Sequence, residues 1–154
     1  MSQVTGVPAQ FSGYPAGTRA LQLPDTQVKS EFLASFGRPP RVLCDAAERS
    51  SAPSVAQALH VINGDTLNKK LMAADAYPAL SIKLGLSDSR ILDHLFLSAF
   101  SRYPTDAEKQ PMLAALHQAR TTAGSVDVQR EARRPALEYM MWAMLTGKEF
   151  LFNY

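Results

Sequence analysis

Residues 87–103, SDSRILDHLFLSAFSRY, decide the fold that the sequence predicts. Apolar side chains recur in this stretch at the three- and four-residue spacing that places them on one face of a helix. Ser87 precedes the run as a helix-capping residue. The apolar face consists of Leu92, Leu95, Phe96, Ala99, Phe100 and Tyr103. A face this wide is typical of a core helix, which we expect from Asp88 to Arg102.

Helical patterns continue on both sides of this segment. The predicted upstream helices cover residues 28–36, 54–63, 66–74 and 78–84. Downstream, Thr105 and Glu108 form a capping box that opens a helix to about Thr122. A last helix, apolar nearly all round and so expected to be buried on more than one side, has Pro135 in its first turn. Because no alternating strand pattern is present, we predict an all-α, multi-helix orthogonal bundle.

The first part of the chain has a different composition. Six of the ten prolines and four of the eight glycines lie in the first 53 residues, and both residue types disfavour regular helix. We therefore predict an irregular, Pro/Gly-rich arm over residues 1–27, followed by a helical domain over residues 28–154. Leu21 and Leu23 are expected to be partly buried. Residues 1–15 are expected to be loosely packed, as chain termini generally are.

The core and one charged surface can also be placed. The side chains expected to be mutually buried are Leu95, Phe96, Phe100, Leu137, Met141, Trp142 and Leu145. The basic cluster Arg130, Arg133 and Arg134 is accompanied by Glu131 and Glu138 and lacks interleaved aromatic residues. Such a mixture is typical of a solvated face.

Length and composition exclude several classes of protein. The 154 residues, 46% hydrophobic and 19% charged, suit one domain, with or without an appended arm. A formal net charge of +2 is too small for a dedicated nucleic-acid binder. No apolar run reaches the ~20 residues of a membrane-spanning helix, and the first residues lack the pattern of a signal peptide.

The residues that usually carry chemistry are sparse. The three histidines are scattered, so no zinc site is predicted, and the Cys-x-x-Cys-His motif of covalent haem is absent. We interpret His94 and His117 as surface residues, and His60 as a hydrogen-bond partner of Gln57. Cys44 has no catalytic signature around it and fits a buried, inert thiol.

One Pro-bounded loop concentrates charged and amide groups ahead of a helix. Its residues are Arg38, Arg41, Glu48, Arg49, Ser50 and Gln57. Loops on rigid scaffolds often carry function, which makes this set a candidate binding site. The other interpretation is that its ion pairs and backbone hydrogen bonds pin the arm onto the bundle. The residues alone leave both interpretations open.

The order of motifs resembles the C-terminal part of a domain of unknown function found in secreted multidomain proteins of planctomycetes. The matching stretches are ALQLP (20–24), FGRP (36–39), ERS (48–50), PSxxQALH (53–60, with positions 55 and 56 unmatched), NGDTLN (63–68), SRYPT (101–105) and KEFLFN (148–153). The resemblance implies a periplasmic or secreted location and neighbouring domains that include a c-type haem domain. In that family a helical half precedes these motifs, so we expect this chain to be a fragment.

Two functions follow from the resemblance together with the sparse chemistry. The first is a non-catalytic interaction or structural module whose partners are the upstream domains, with any haem c in a separate domain. The second is part of a hydrolytic enzyme acting on polysaccharide, with an active site that includes Glu48 and Arg49 and is completed by the upstream half. The positions of Glu48, Arg49 and Gln57 would discriminate between them.

Overall fold

The computed structural model describes residues 1–24, 28, 30–36, 55–122 and 124–152. Its helices are α1 (Ser2–Thr5), α2 (Glu31–Ser35), α3 (Val55–Asn63), α4 (Asp65–Leu71), α5 (Tyr77–Lys83), α6 (Asp88–Phe100), α7 (Asp106–Thr121), α8 (Val126–Thr146) and α9 (Lys148–Phe152), and a 3-10 turn lies at Ala20–Gln22. The described residues contain no strand, so the all-α class is confirmed. Helices α2 to α7 begin and end within three residues of the predicted bounds. No helix in these ranges is long and apolar enough to cross a membrane.

The chain forms two compact units. The first comprises Met1–Val7 and Asn68–Tyr154, and the second comprises Pro8–Leu67. In the first unit α5 and α7 pack against α8, α6 packs against α7, and α9 contacts both α6 and α8. In the second unit α2 packs against α3. Helix α8 is thus the central element of the first unit.

Apolar side chains of α6, α7 and α8 form the core of the first unit. Those at most 1% exposed are Ile91, Leu92, Leu95, Leu116, Leu137, Met141 and Leu145. Phe96 is 4% exposed. The expected core is therefore confirmed except at Phe100 and Trp142, which are only half-buried. The Phe100 ring lies under the guanidinium of Arg102, and the indole of Trp142 stacks on Tyr139.

Helix α8 is longer than the sequence predicts. It begins at Val126, with Ser125 as its N-cap, and continues through Pro135. The expectation that Pro135 opens the helix is therefore wrong. An interior proline removes one backbone hydrogen bond and costs about 3 kcal/mol. The fully buried side chains of Leu137 and Met141 on the same helix offset that cost.

The N-terminal segment is well packed, contrary to the expectation for residues 1–15. Helix α1 lies against α5 and α6, and its Val4 and Thr5 are buried. The hydroxyl of Thr5 donates to the carbonyl oxygen of Met1 at 3.2 Å, and Nζ of Lys70 donates to the carbonyl oxygen of Val7 at 2.7 Å. Burial lowers the pKa of Lys70. The prediction of loose packing is therefore wrong over residues 1–7.

The two leucines of the arm have opposite environments. Leu23 is buried, whereas Leu21 is 99% exposed, so the expectation of burial is wrong for Leu21. The backbone N–H of Arg19 donates to Oε1 of Gln22 at 2.8 Å and closes the 3-10 turn. Leu21 lies within the turn, whereas Leu23 follows it with extended backbone angles, so the helical spacing does not place the two side chains on one face.

Arg102 joins α9 to the start of α7. Its guanidinium donates to both carboxylate oxygens of Glu108, at 2.9 and 2.8 Å, and to both of Glu149, at 2.8 and 3.1 Å. It also lies 5.3 Å from the ring centroid of Phe96. Oε2 of Glu108 accepts from the backbone N–H of Thr105 at 2.8 Å, and the predicted capping box is confirmed. These contacts raise the pKa of Arg102 and lower that of Glu108 from 4.5 to about 2.

This pKa shift predicts acid sensitivity. The hydrogen bonds from Arg102 and Thr105 stabilise ionised Glu108 only in the folded state. The contribution of Glu108 to folding stability is therefore complete above pH 4.5 and is lost as the pH falls toward about 2. We expect the stability advantage of the native chain over Glu108→Gln to shrink across this range. Glutamine preserves the capping acceptor. Urea unfolding of both proteins at several pH values measures the difference, and a difference independent of pH would contradict the assignment.

Candidate functional site

The loop singled out in the sequence is described only at its last member. Arg38, Arg41, Glu48, Arg49 and Ser50 lie outside the described residues, as does Cys44. Gln57 is half-buried, and its Nε2 donates to the carbonyl oxygen of Ser35 at 2.9 Å, which links α3 to the end of α2. Both interpretations of the loop, attachment of the arm to the bundle and ligand binding, therefore stay predictions.

Of the three histidines, His60 and His94 lie beside aromatic rings, whereas His117 is exposed. In the second unit, the ring of His60 lies 5.6 Å from that of Phe32, and its Nε2 lies 3.5 Å from the Thr66 hydroxyl. In the first unit, the exposed ring of His94 stacks on Tyr77 at 4.4 Å. Across the described ranges, no three His, Cys, Asp or Glu side chains come close enough together to hold a metal ion.

A cleft of about 410 Å³ lies in the first unit, where α6 and α8 begin and α7 ends. We call it the arginine cleft. It is lined by Gly85, Leu86, Ser87, Asp88, Arg120, Val126, Gln129, Arg130 and Arg133. The volume lies in the range of small-molecule sites, about 300–1,000 Å³.

The turn between α5 and α6 forms one wall of the arginine cleft. Gly85 adopts a left-handed conformation, with φ of 67°, that glycine tolerates best. Its N–H donates to the carbonyl oxygen of Ile82, and the N–H of Leu86 donates to that of Ser81, which ends α5. Helix α6 then starts at Asp88, after the N-cap Ser87. The turn thereby places the Asp88 carboxylate at the cleft.

Two guanidinium groups hold the Asp88 carboxylate. Its Oδ1 accepts from Nη1 of Arg133 at 2.5 Å, and its Oδ2 pairs with Nη2 of Arg120 at 2.9 Å. The side chains of Arg133 and Asp88 are 3% and 14% exposed, whereas that of Arg120 is 39% exposed. Each carboxylate oxygen therefore has its own cationic partner.

The buried position of Arg133 corrects the interpretation of the basic cluster as a solvated face. Arg133, Leu137, Met141 and Leu145 are spaced by four residues and are all buried. Arg133 thus continues the inner stripe of α8, and this spacing is the signal that could have identified it. Arg134, on the next position, pairs instead with Glu138 and donates to the carbonyl oxygen of Met72.

The chemistry of the arginine cleft suits recognition. A guanidinium stays protonated in proteins and offers up to five N–H donors, so it binds carboxylate or phosphate and does not transfer protons. Asp88 accepts a hydrogen bond from Arg133 at Oδ1 and forms an ion pair with Arg120 at Oδ2. The arginines that line the cleft therefore supply several donors, of which those of Arg133 are held in place by Asp88.

A second feature is the outer side of α8. Side chains eleven residues apart on a helix lie within about 20° of each other, so Val128 and Tyr139 share one side. Ala132, Pro135 and Trp142 lie on the same side of α8. We call these five residues the outer stripe: Val128, Ala132, Pro135, Tyr139 and Trp142. Tyr139 is 69% exposed and Val128 is 54% exposed. The expectation that α8 is buried on more than one side is therefore not met within the described chain.

The two aromatic residues of the outer stripe form a stacked pair. The ring centroids of Tyr139 and Trp142 are 5.8 Å apart, with an angle of 22° between the ring planes. The opposite side of α8 is held by the core through Leu137 and Met141. The helix that carries the stacked pair is therefore held in place by the packing of its opposite side in the core.

Comparisons of the chain with protein-family models, with curated proteins and with solved structures found no match.

Proposed function

We propose that the chain is a non-catalytic interaction module of a secreted, multidomain planctomycete protein, and that the outer stripe of α8 binds the upstream domains. The observation that carries this proposal is the stacking of the mostly exposed Tyr139 on the half-buried Trp142, on a helix whose other side is core. The resemblance described above supplies the kind of partner.

Three properties of the outer stripe support an interface. Its residues are apolar over nearly four turns of α8, from Val128 to Trp142. Tyrosine and tryptophan are enriched at interfaces and dominate their energetics, because each buries a large area with little loss of side-chain entropy. The packing of α8 against α5 and α7 fixes the backbone before binding, which lowers the cost of association.

The test is a binding experiment with Tyr139→Ser. The partner is the upstream region that the resemblance implies, prepared as a separate chain, and the dissociation constant is measured by calorimetry. We expect a complex with the native chain and at least about tenfold weaker binding for Tyr139→Ser, because truncation of a hot-spot aromatic costs about 2 kcal/mol or more. The variant should fold normally, since the side chain is mostly exposed.

Tyr103 provides the matched control. It is 65% exposed and lies outside α8, so Tyr103→Ser should bind like the native chain. Failure to form a complex, or equal weakening by both variants, would contradict the proposed surface. Hydrolysis of a polysaccharide by the mixture, abolished by Glu48→Gln, would instead establish the enzymatic alternative.

A further inference from the structure

We propose that the arginine cleft is a binding site for an oxyanion, namely a phosphate or a carboxylate group of a small molecule. The inference rests on the charges that line the cleft and on the way Asp88 arranges them. It does not use the outer stripe of α8, so it stands or falls separately from the proposed function.

The cleft carries an excess of positive charge. Three guanidinium groups, those of Arg120, Arg130 and Arg133, line it together with one carboxylate, that of Asp88. Asp127 and Glu131 flank Arg130 in the sequence, but neither lines the cleft. Among the residues that the structure describes, no carboxylate lies within ion-pair distance of Arg130. The net charge of the lining is therefore positive by two.

Asp88 holds the guanidinium groups of Arg120 and Arg133 in place and leaves further N–H donors of Arg120 available. It accepts one N–H of Arg133 through Nη1 and forms an ion pair with Nη2 of Arg120. Because an arginine has five N–H donors, Arg120 keeps further donors, and its side chain is 39% exposed. Arg133 is anchored deeper and also donates to the carbonyl oxygen of Leu86 at 3.5 Å. The buried pair thus fixes the floor, while Arg120 and Arg130 remain accessible.

The two accessible arginines match the chemistry of an oxyanion. Guanidinium groups make short, charge-assisted hydrogen bonds to phosphate and carboxylate oxygens, often two at once. Helices α6 and α8 begin at this cleft and α7 ends there, so the helix ends contribute partial charges of both signs and the net positive charge comes from the arginine side chains. The Asp88–Arg133 pair is the buried, structural part of the cleft, and Arg130 adds an exposed positive charge to it.

The experiment titrates the full chain with inorganic phosphate, and separately with acetate, by calorimetry and by NMR amide shifts at constant ionic strength. We expect saturable binding, with shifts centred on residues 85–88 and 129–133. Arg130→Gln should weaken binding by about tenfold, the effect of removing one charged hydrogen bond. The variant should fold normally because Arg130 is exposed.

Arg90→Gln is the matched control. Arg90 is also exposed and also on a helix that borders the cleft, but it does not line the cleft. It should leave the affinity within about twofold of the native value, since a charge outside the site acts only through screened solvent. Binding of phosphate alone or of acetate alone, lost in Arg130→Gln, would support the site and identify its oxyanion. Equal weakening by both variants, or shifts spread over the surface, would overturn it.

Discussion

Replacing Phe96 by alanine is expected to lower the free energy of unfolding by about 3–5 kcal/mol, the usual cost of removing a large aromatic from a packed core. Phe96 is 4% exposed, and its ring meets that of Phe100 edge-on at 5.5 Å. The guanidinium of Arg102 covers the ring at 5.3 Å. The substitution therefore removes the core contact and the support beneath Arg102 together. Denaturant unfolding followed by circular dichroism measures the loss.

The neighbouring Leu97 supplies the control for this measurement. It lies on the same helix but is 40% exposed. We therefore expect Leu97→Ala to lower the free energy of unfolding by less than about 1 kcal/mol. Phe96→Leu preserves most of the apolar volume and should lie between the two alanine variants. Similar losses for Phe96→Ala and Leu97→Ala would show that Phe96 is not part of a packed core.

Asp88→Ala is expected to cost about 3–5 kcal/mol, because it leaves the buried Arg133 without its counter-charge. The Arg133 side chain is only 3% exposed. The substitution also removes the carboxylate that separates Arg133 from Arg120. Loss of one buried partner is thus combined with repulsion between two cations. Urea unfolding at neutral pH is the measurement.

The double variant Asp88→Ala, Arg133→Met separates a buried charge from a general defect. Methionine fills the space of the arginine stem without requiring a counter-charge. We expect the double variant to be more stable than Asp88→Ala alone, since its remaining cation, Arg120, is accessible to water. If the two substitutions instead add fully, the cost of Asp88→Ala does not come from a stranded guanidinium.

The helices were predictable where the sequence contains local stop and start signals. Ser87 and Thr105 begin α6 and α7, and Gly85 ends the segment before α6, because capping depends on residues close in the chain. Pro135 lies inside α8 because its local preference for a first turn is overridden by packing on both sides of it along the helix. The same applies to α1, whose burial depends on contacts with distant helices.

The arginine cleft was harder to predict than the fold. Its residues come from three separate parts of the chain, and the pairing of Asp88 with Arg120 and Arg133 is a tertiary contact. The sequence does show that Arg133 precedes Leu137 and Met141 at helical spacing. That spacing indicates a buried position, but only if the helix is known to begin before Pro135. If the helix is expected to begin at Pro135, Arg133 lies outside it and its burial cannot be predicted.

The position of α1 affects the order in which the first unit can fold. Met1–Val7 belongs to the same unit as Asn68–Tyr154, and the intervening Pro8–Leu67 forms a unit of its own. Docking α1 onto α5 and α6 therefore closes a long loop, which has an entropic cost that grows logarithmically with its length. Helices α5 to α9 are close in sequence and have no such barrier between them. We infer that α1 docks late in folding. Its contacts with α5 and α6 then slow unfolding more than they speed folding.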